Sequence, residues 1–237
     1  MLKIVVGCLV VISMFAGSQA EQATRITIER YQPDIIKNDS VIAPAKSEFD
    51  TLWLGESKAR SYTSGSYQYL IVDGKGGDLL SIYPKFETYQ LYDRQGNWMN
   101  KDLPTQVERD LQKGMAAISP DIRLTIHATE ELDTIRGVQC RRFEFFDEDK
   151  FGTKVSDVWI SERHESQIDL FHKIYYGLTL FVDGHEFVEE ELKQIRGLPM
   201  LGVLRGNVRR TEAIIAIDTV AVDSNFFEIP AGYEEYK

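Results

Sequence analysis

Tyr67-Gln68-Tyr69-Leu70-Ile71-Val72, then Asp73-Gly74-Lys75-Gly76-Gly77-Asp78, then Leu79-Leu80-Ser81-Ile82-Tyr83: two short aromatic and aliphatic runs flank a glycine-rich turn. Such runs between turn signals read as consecutive strands. The same pattern extends outward on both sides. Phe49–Leu54 and Lys58–Tyr62 precede it, separated by Gly55-Glu56 and followed by Ser64-Gly65-Ser66, and Phe86–Tyr92 follows after Pro84-Lys85. Spacings of about ten residues with glycine at the turns describe an antiparallel meander. Its alternation is imperfect, because Tyr67, Tyr69 and Ile71 share one face while Leu70 and Val72 occupy the other. A sheet that is apolar on both faces must be covered on both or curled around something.

The rest of the chain continues in the same style. Arg25–Tyr31 reads as an opening strand and residues 32–48 as a loop, with Pro33, Asn38-Asp39-Ser40 and Pro44. Gln95-Gly96-Asn97 is a further turn. Over residues 104–118, Val107, Leu111, Met115 and Ile118 fall at helical spacing after Asp102 and Pro104. Strands resume at Ile122–His127, Cys140–Phe146 and Lys154–Ile160. Residues 164–197 are mixed. Ile168, Phe171, Ile174 or Tyr175, and Leu178 suit a helix, Leu178–Val182 could equally form a strand, and a second short helix through Phe187, Glu191 or Leu192, and Ile195 closes at Gly197 and Pro199. A long strand, Asn207–Val222, and an aromatic tail, Phe226–Tyr233, end the pattern. About ten strands with two helical insertions, no internal repeat and no low-complexity linker argue for one domain over residues 21–237.

Composition is that of a globular chain: 237 residues, 43% hydrophobic, 27% charged. Lys and Arg number 27 against 37 Asp and Glu, a formal charge of -10, with no basic run. An acidic surface repels phosphate backbones, so nucleic acid is not an expected partner. Residues 1–20 read as a signal peptide: Lys3, an apolar run Ile4–Phe15, then small residues at Ser18 and Ala20, with cleavage after Ala20. The apolar run is shorter than the ~20 residues of a spanning helix, and none is expected in the mature chain. Export to the periplasm is the expectation. Val5-Val6-Gly7-Cys8 has lipobox residue types, but the apolar run continues beyond Cys8 instead of ending there. Cleavage leaves Cys140 as the lone cysteine, expected to be buried and inert.

Motifs for chemistry are sparse. His185-Glu186-Phe187-Val188-Glu189 begins like a zinc-protease helix but carries Glu189 where the second histidine belongs. Asp147-Glu148-Asp149-Lys150-Phe151-Gly152 matches a calcium loop at its first, third and sixth positions and fails at Phe151 and Val158. The glycine-rich stretch Asp73–Asp78 lacks the Lys-Ser/Thr ending of a phosphate loop, and no Gly-x-Ser-x-Gly elbow exists. No catalytic residue, metal ligand or cofactor is assigned, and the chain is expected not to be an enzyme. What remains is apolar. Phe171–Val182 is a dense aromatic and aliphatic stretch, most simply core, and functionally a lid over the sheet.

Several short motifs carry a resemblance. Gly137-Val138-Gln139-Cys140-Arg141-Arg142-Phe143-Glu144-Phe145, Val158-Trp159-Ile160-Ser161, Gly197-Leu198-Pro199-Met200 and the ending Val222–Tyr233 resemble the LolA/LolB-like superfamily of bacterial envelope proteins. Thr51–Arg60 leading into Tyr83–Tyr89 fits the same pattern, and the match is to an uncharacterised secreted branch. The resemblance implies a mainly β, α+β fold: a curved, incompletely closed antiparallel β-barrel whose concave apolar face is covered by helices. It implies a non-catalytic periplasmic protein binding a lipid, acyl chain, lipoprotein or other amphipathic ligand in that half-barrel, in envelope lipid or lipoprotein handling. The alternative is an envelope protein-interaction or stress-sensor module with a filled barrel. The ligand-cavity candidates are Trp53, Tyr67, Tyr69, Phe171, Tyr175 and Leu178.

Overall fold

The computed structural model describes residues 20–73, 79–92, 124–147, 152–162, 170–171, 195–205 and 209–236. Strand β1 (Glu21–Gln32) leads into a small hairpin, β2 (Ile35–Lys37) and β3 (Ser40–Ala43). The meander follows as β4 (Lys46–Leu54), β5 (Lys58–Thr63), β6 (Tyr69–Asp73), β7 (Leu79–Tyr83) and β8 (Thr88–Tyr92). Then come β9 (Leu124–Ile135), β10 (Val138–Asp147), β11 (Thr153–Ser161), β12 (Pro199–Arg205), β13 (Arg209–Val222) and a terminal β14 (Glu234–Glu235).

Twelve of these strands form one sheet in the order β14-β8-β7-β6-β5-β4-β1-β13-β12-β11-β10-β9. Its neighbours are antiparallel except β14 on β8, which is parallel. β1 joins the two halves. It pairs on one side with β4 (Ile26 opposite Leu52) and on the other with β13 (Ile26 opposite Ile217).

The expected fold is corrected here. The sheet is open, not an incompletely closed barrel, because its end strands are β14 and β9 and they do not pair. Closure needs the last strand to meet the first. Among the described residues no helix covers a face. The helix read at 104–118 lies outside them, and of 164–197 only 170–171 and 195–197 are described. The strands number more than ten. Residues 32–48 contain the β2–β3 hairpin, and Pro199, read with Gly197 as the stop of a helix, opens β12. Asn38 and Asp39, both at positive φ (51° and 59°), make the tight turn that lets a two-residue connection close the β2–β3 hairpin. No helix among the described residues is long and apolar enough to cross a membrane.

Directly paired residues of an antiparallel sheet share a face, which separates the two surfaces. One face carries Ile26, Ile28, Leu52, Leu54, Ala59 and Val72, and these belong to a core cluster with Leu170, Phe171, Leu198 and Met200. Phe171 is fully buried there. Gly197 reaches into the same region, where an added Cβ would lie 1.9 Å from the Ser161 carbonyl oxygen. Cys140 is buried too. Burial pushes its thiol pKa up, and its Sγ donates to the Val138 carbonyl at 3.4 Å.

Candidate functional site

On the opposite face the meander presents Trp53, Arg60, Tyr69, Ile71, Leu80, Ile82 and Tyr89, as the registers of β4 to β8 require. Among the described residues the cover on this face is not helical. Residues 223–233, leaving β13, run across it as an irregular strap. Turns at Asp223–Phe226 and Asn225–Glu228 bend the chain, and a third at Pro230–Tyr233 uses Gly232 at φ 89°. The strap then fastens to the sheet edge: the Glu234 and Tyr236 amides donate to the Glu87 and Tyr89 carbonyls at 3.0 and 2.8 Å. Glu87 sits in the left-handed region (φ 52°) at the end of the short turn Pro84–Phe86, which aims its carbonyl at this contact.

Side chains lock the strap down at three places. Phe227 is buried with Ala23 and Val222, while Phe226 meets Trp53 edge-on at 5.4 Å. Ile229 and Tyr233 pack against the cluster of Tyr69, Ile71 and Ile82. Between these lies Arg60. Its guanidinium is 3.8 Å from the Tyr69 ring centroid and 4.4 Å from that of Phe226, and Nη1 donates to the Phe226 carbonyl at 3.2 Å. Burial pulls the Arg60 pKa down from its ordinary value and pushes that of the Tyr69 hydroxyl up. Two ring faces and a carbonyl take the place of a counter-anion.

Strap and sheet do not meet everywhere. Between them a cleft of about 280 Å³ has Ile71, Leu80 and Leu91 as its floor and Phe227 and Ile229 as its wall. Lys58, Asp73 and Glu228 form the rim, with Lys58 Nζ 2.6 Å from Glu228 Oε1. The volume is near the lower end of small-molecule sites, ~300 Å³. An apolar floor with charges only at the mouth suits an amphipath.

The residues read as cavity candidates separate in space. Trp53 and Tyr69 meet on the strap face around Arg60 and Phe226, next to the cleft. Phe171 lies in the core of the other face. Tyr67 stands 76% exposed on the β5–β6 turn, away from both. Tyr175 and Leu178 lie outside the described residues, as do His164, His172, His185 and Glu189. Among the described residues no group of three or more metal-ligating side chains gathers. Ile71, Leu80, Leu91, Phe227 and Ile229 escaped the sequence reading. The usable signal was the doubled apolar face together with the late Phe226-Phe227…Ile229 cluster.

On the same face, the other half of the sheet is polar. Asp157, only 2% exposed, accepts from Arg142 at 2.7 Å and Arg205 at 2.6 Å and pairs with Lys154 at 2.5 Å. Glu144 and Glu131 bind the outer sides of Arg142. Burial raises the Asp157 pKa, but the hydrogen bonds from Lys154, Arg142 and Arg205 outweigh it and hold the carboxyl at about 2. Every charge in this cluster has an opposite partner, which marks a structural tie between β10, β11 and β12. His127 packs nearby against Phe146 with the rings tilted at 44° and centroids 5.0 Å apart.

No known family's sequence profile matches the chain, and no curated protein matches it. Solved structures do. Two crystal forms of PNGF-II align over 91% of this chain and 31% of theirs, with TM-scores of 0.44 and 0.42 and identities of 8% and 10%. The chain thus spans about a third of PNGF-II. A DUF1329 family protein from Desulfovibrio piger aligns over 89% of this chain and 90% of its own, with a TM-score of 0.31 and 7% identity.

Proposed function

We propose that the protein, once exported to the periplasm, binds the apolar chain of a lipid or other amphipathic molecule by burial instead of chemical reaction. The cleft beneath the C-terminal strap is the site. One observation carries this reading: an apolar-floored, charge-rimmed gap persists where a strap otherwise seals the sheet tightly. Each methylene moved from water to that floor gains roughly 0.8 kcal/mol before binding costs. Handling of envelope lipids or lipoprotein acyl chains is the role that suits such a site.

Native mass spectrometry of protein purified without detergent tests it. A lipid-sized adduct is expected, lost on denaturation and weakened by Leu91→Trp, which fills the floor. A clean apo mass, with no gain in melting temperature on adding fatty acids or phospholipids, sinks the reading.

One observation favours a second reading, an envelope protein-interaction module. β9 ends the sheet, and among the described residues nothing pairs with its outer side, whereas β8 at the other end is capped by β14. An open edge can accept a partner strand. Glu130, Glu131 and Asp133 along β9 are equally the charges that keep edges apart. Cross-linked capture that yields no protein contacting β9 discards this reading.

A further inference from the structure

We infer that the end of the sheet bearing the β2–β3 hairpin docks shallowly on a lipid bilayer surface, independently of what the cleft binds. Among the described residues, most of the large apolar side chains that stand exposed gather at this one end. Ile36, Val41 and Ile42 on the hairpin are 64%, 56% and 61% exposed. Tyr31, Phe49 and Tyr62 lie nearby on strands converging at the same end, and Tyr67 and Phe86 on its turns.

The hairpin's own structure argues that these residues do not serve folding. β2 and β3 form a separate two-stranded sheet, and among the described elements no other packs extensively against it. Ile36 faces Val41 across the pair, with Ile42 at the register shift. An isolated hairpin gains little stability from such a pair, and contiguous exposed aliphatics in a water-soluble setting mark a contact surface. Asp34 accepts from the Ala45 amide at 2.6 Å, tying the base shut so that the tip is presented as a unit.

The occupant follows from chemistry and dimensions. Lys37, Lys46 and Lys85 lie at this same end, Lys46 paired with Glu48 at 2.9 Å, and Lys85 Nζ lies 5.9 Å from the Tyr67 ring and 5.7 Å from that of Phe86. Aliphatic tips ringed by Tyr and Lys match a headgroup boundary, where aromatic rings settle and lysine stems reach outward. Strands of three or four residues at about 3.3 Å each reach roughly 10 Å, the depth of an interfacial anchor. A flat protein partner would leave such a narrow projection largely unburied.

Flotation with vesicles of phosphatidylethanolamine and phosphatidylglycerol tests the inference. The full chain is expected to float. The combined variant Ile36→Ser, Val41→Ser, Ile42→Ser should partition about tenfold less while keeping its β-sheet circular dichroism. Leu91→Trp, in the cleft, should float like the unaltered protein. Failure of the unaltered protein to float, or equal flotation of the triple variant, overturns the inference. So does loss of flotation in Leu91→Trp, which would assign vesicle association to the cleft. A dimer in sedimentation that the triple variant dissolves overturns it in favour of a second copy.

Discussion

The halves of the sheet on either side of β1 are built on opposite terms. From β4 to β8 every register is uninterrupted, and apolar side chains stand on both faces. From β9 to β12 each junction carries a register shift, and one face holds an ion network. The regular half needs a cover for its second face, and the strap supplies one. The irregular half uses its bulges to aim charges. Ser156 faces Phe145 and Lys154 faces Phe146, so Val155 is the extra residue. Without it, Lys154 and Asp157, three apart, would point to opposite faces. With it, Lys154 reaches Asp157 beside Arg142 and Arg205.

The largest effect should come from breaking the ionic half at its hub. Asp157→Ala leaves three cations around a buried void, and a loss of about 4 kcal/mol is expected by urea unfolding. Phe227→Ala attacks the apolar half at the strap. It should cost about 3 kcal/mol, and amides under the strap should exchange faster in hydrogen exchange. Gly55→Ala sharpens the same point more gently. Its Cβ would lie 2.9 Å from the Phe227 ring and 3.2 Å from the Lys58 carbonyl, costing about 1–2 kcal/mol in chemical denaturation.

Acid separates the halves by pH dependence. The folded Asp157 carboxyl, at about 2, lies below its ordinary 3.8. Its contribution is therefore complete above pH ~4 and lost as pH falls towards 2. Asp157→Asn should flatten stability over that window, whereas Phe227→Ala should lower it evenly. The smallest effect is expected at Ile36→Ser, within about 0.5 kcal/mol of the unaltered protein, because that side chain supports no core.

The strands were largely legible. β1, β4, β5, β6, β7, β10 and β11 lie where alternation and glycine turns put them, within a residue or two for most ends. β12 was not, because Gly197 and Pro199 read as the stop of a helix while Met200 and Val203 were too few to show a period. Of the candidate site, Trp53 and Tyr69 were visible as aromatics on one face. Their companions Phe226, Phe227 and Ile229 lie more than 150 positions later, in a segment with no periodicity to betray its role.

The sequence by itself determined that this is a β-meander protein with both faces of its first half apolar and therefore in need of cover. Local alternation is a property of neighbours along the chain, so it can be read without the fold. Tertiary structure alone decided that β1 lies between β4 and β13, that a C-terminal strap crosses the second face of the meander, and that three strands aim their charges at Asp157. Those outcomes depend on contacts between distant segments, and a one-residue bulge is enough to reverse which face a side chain takes.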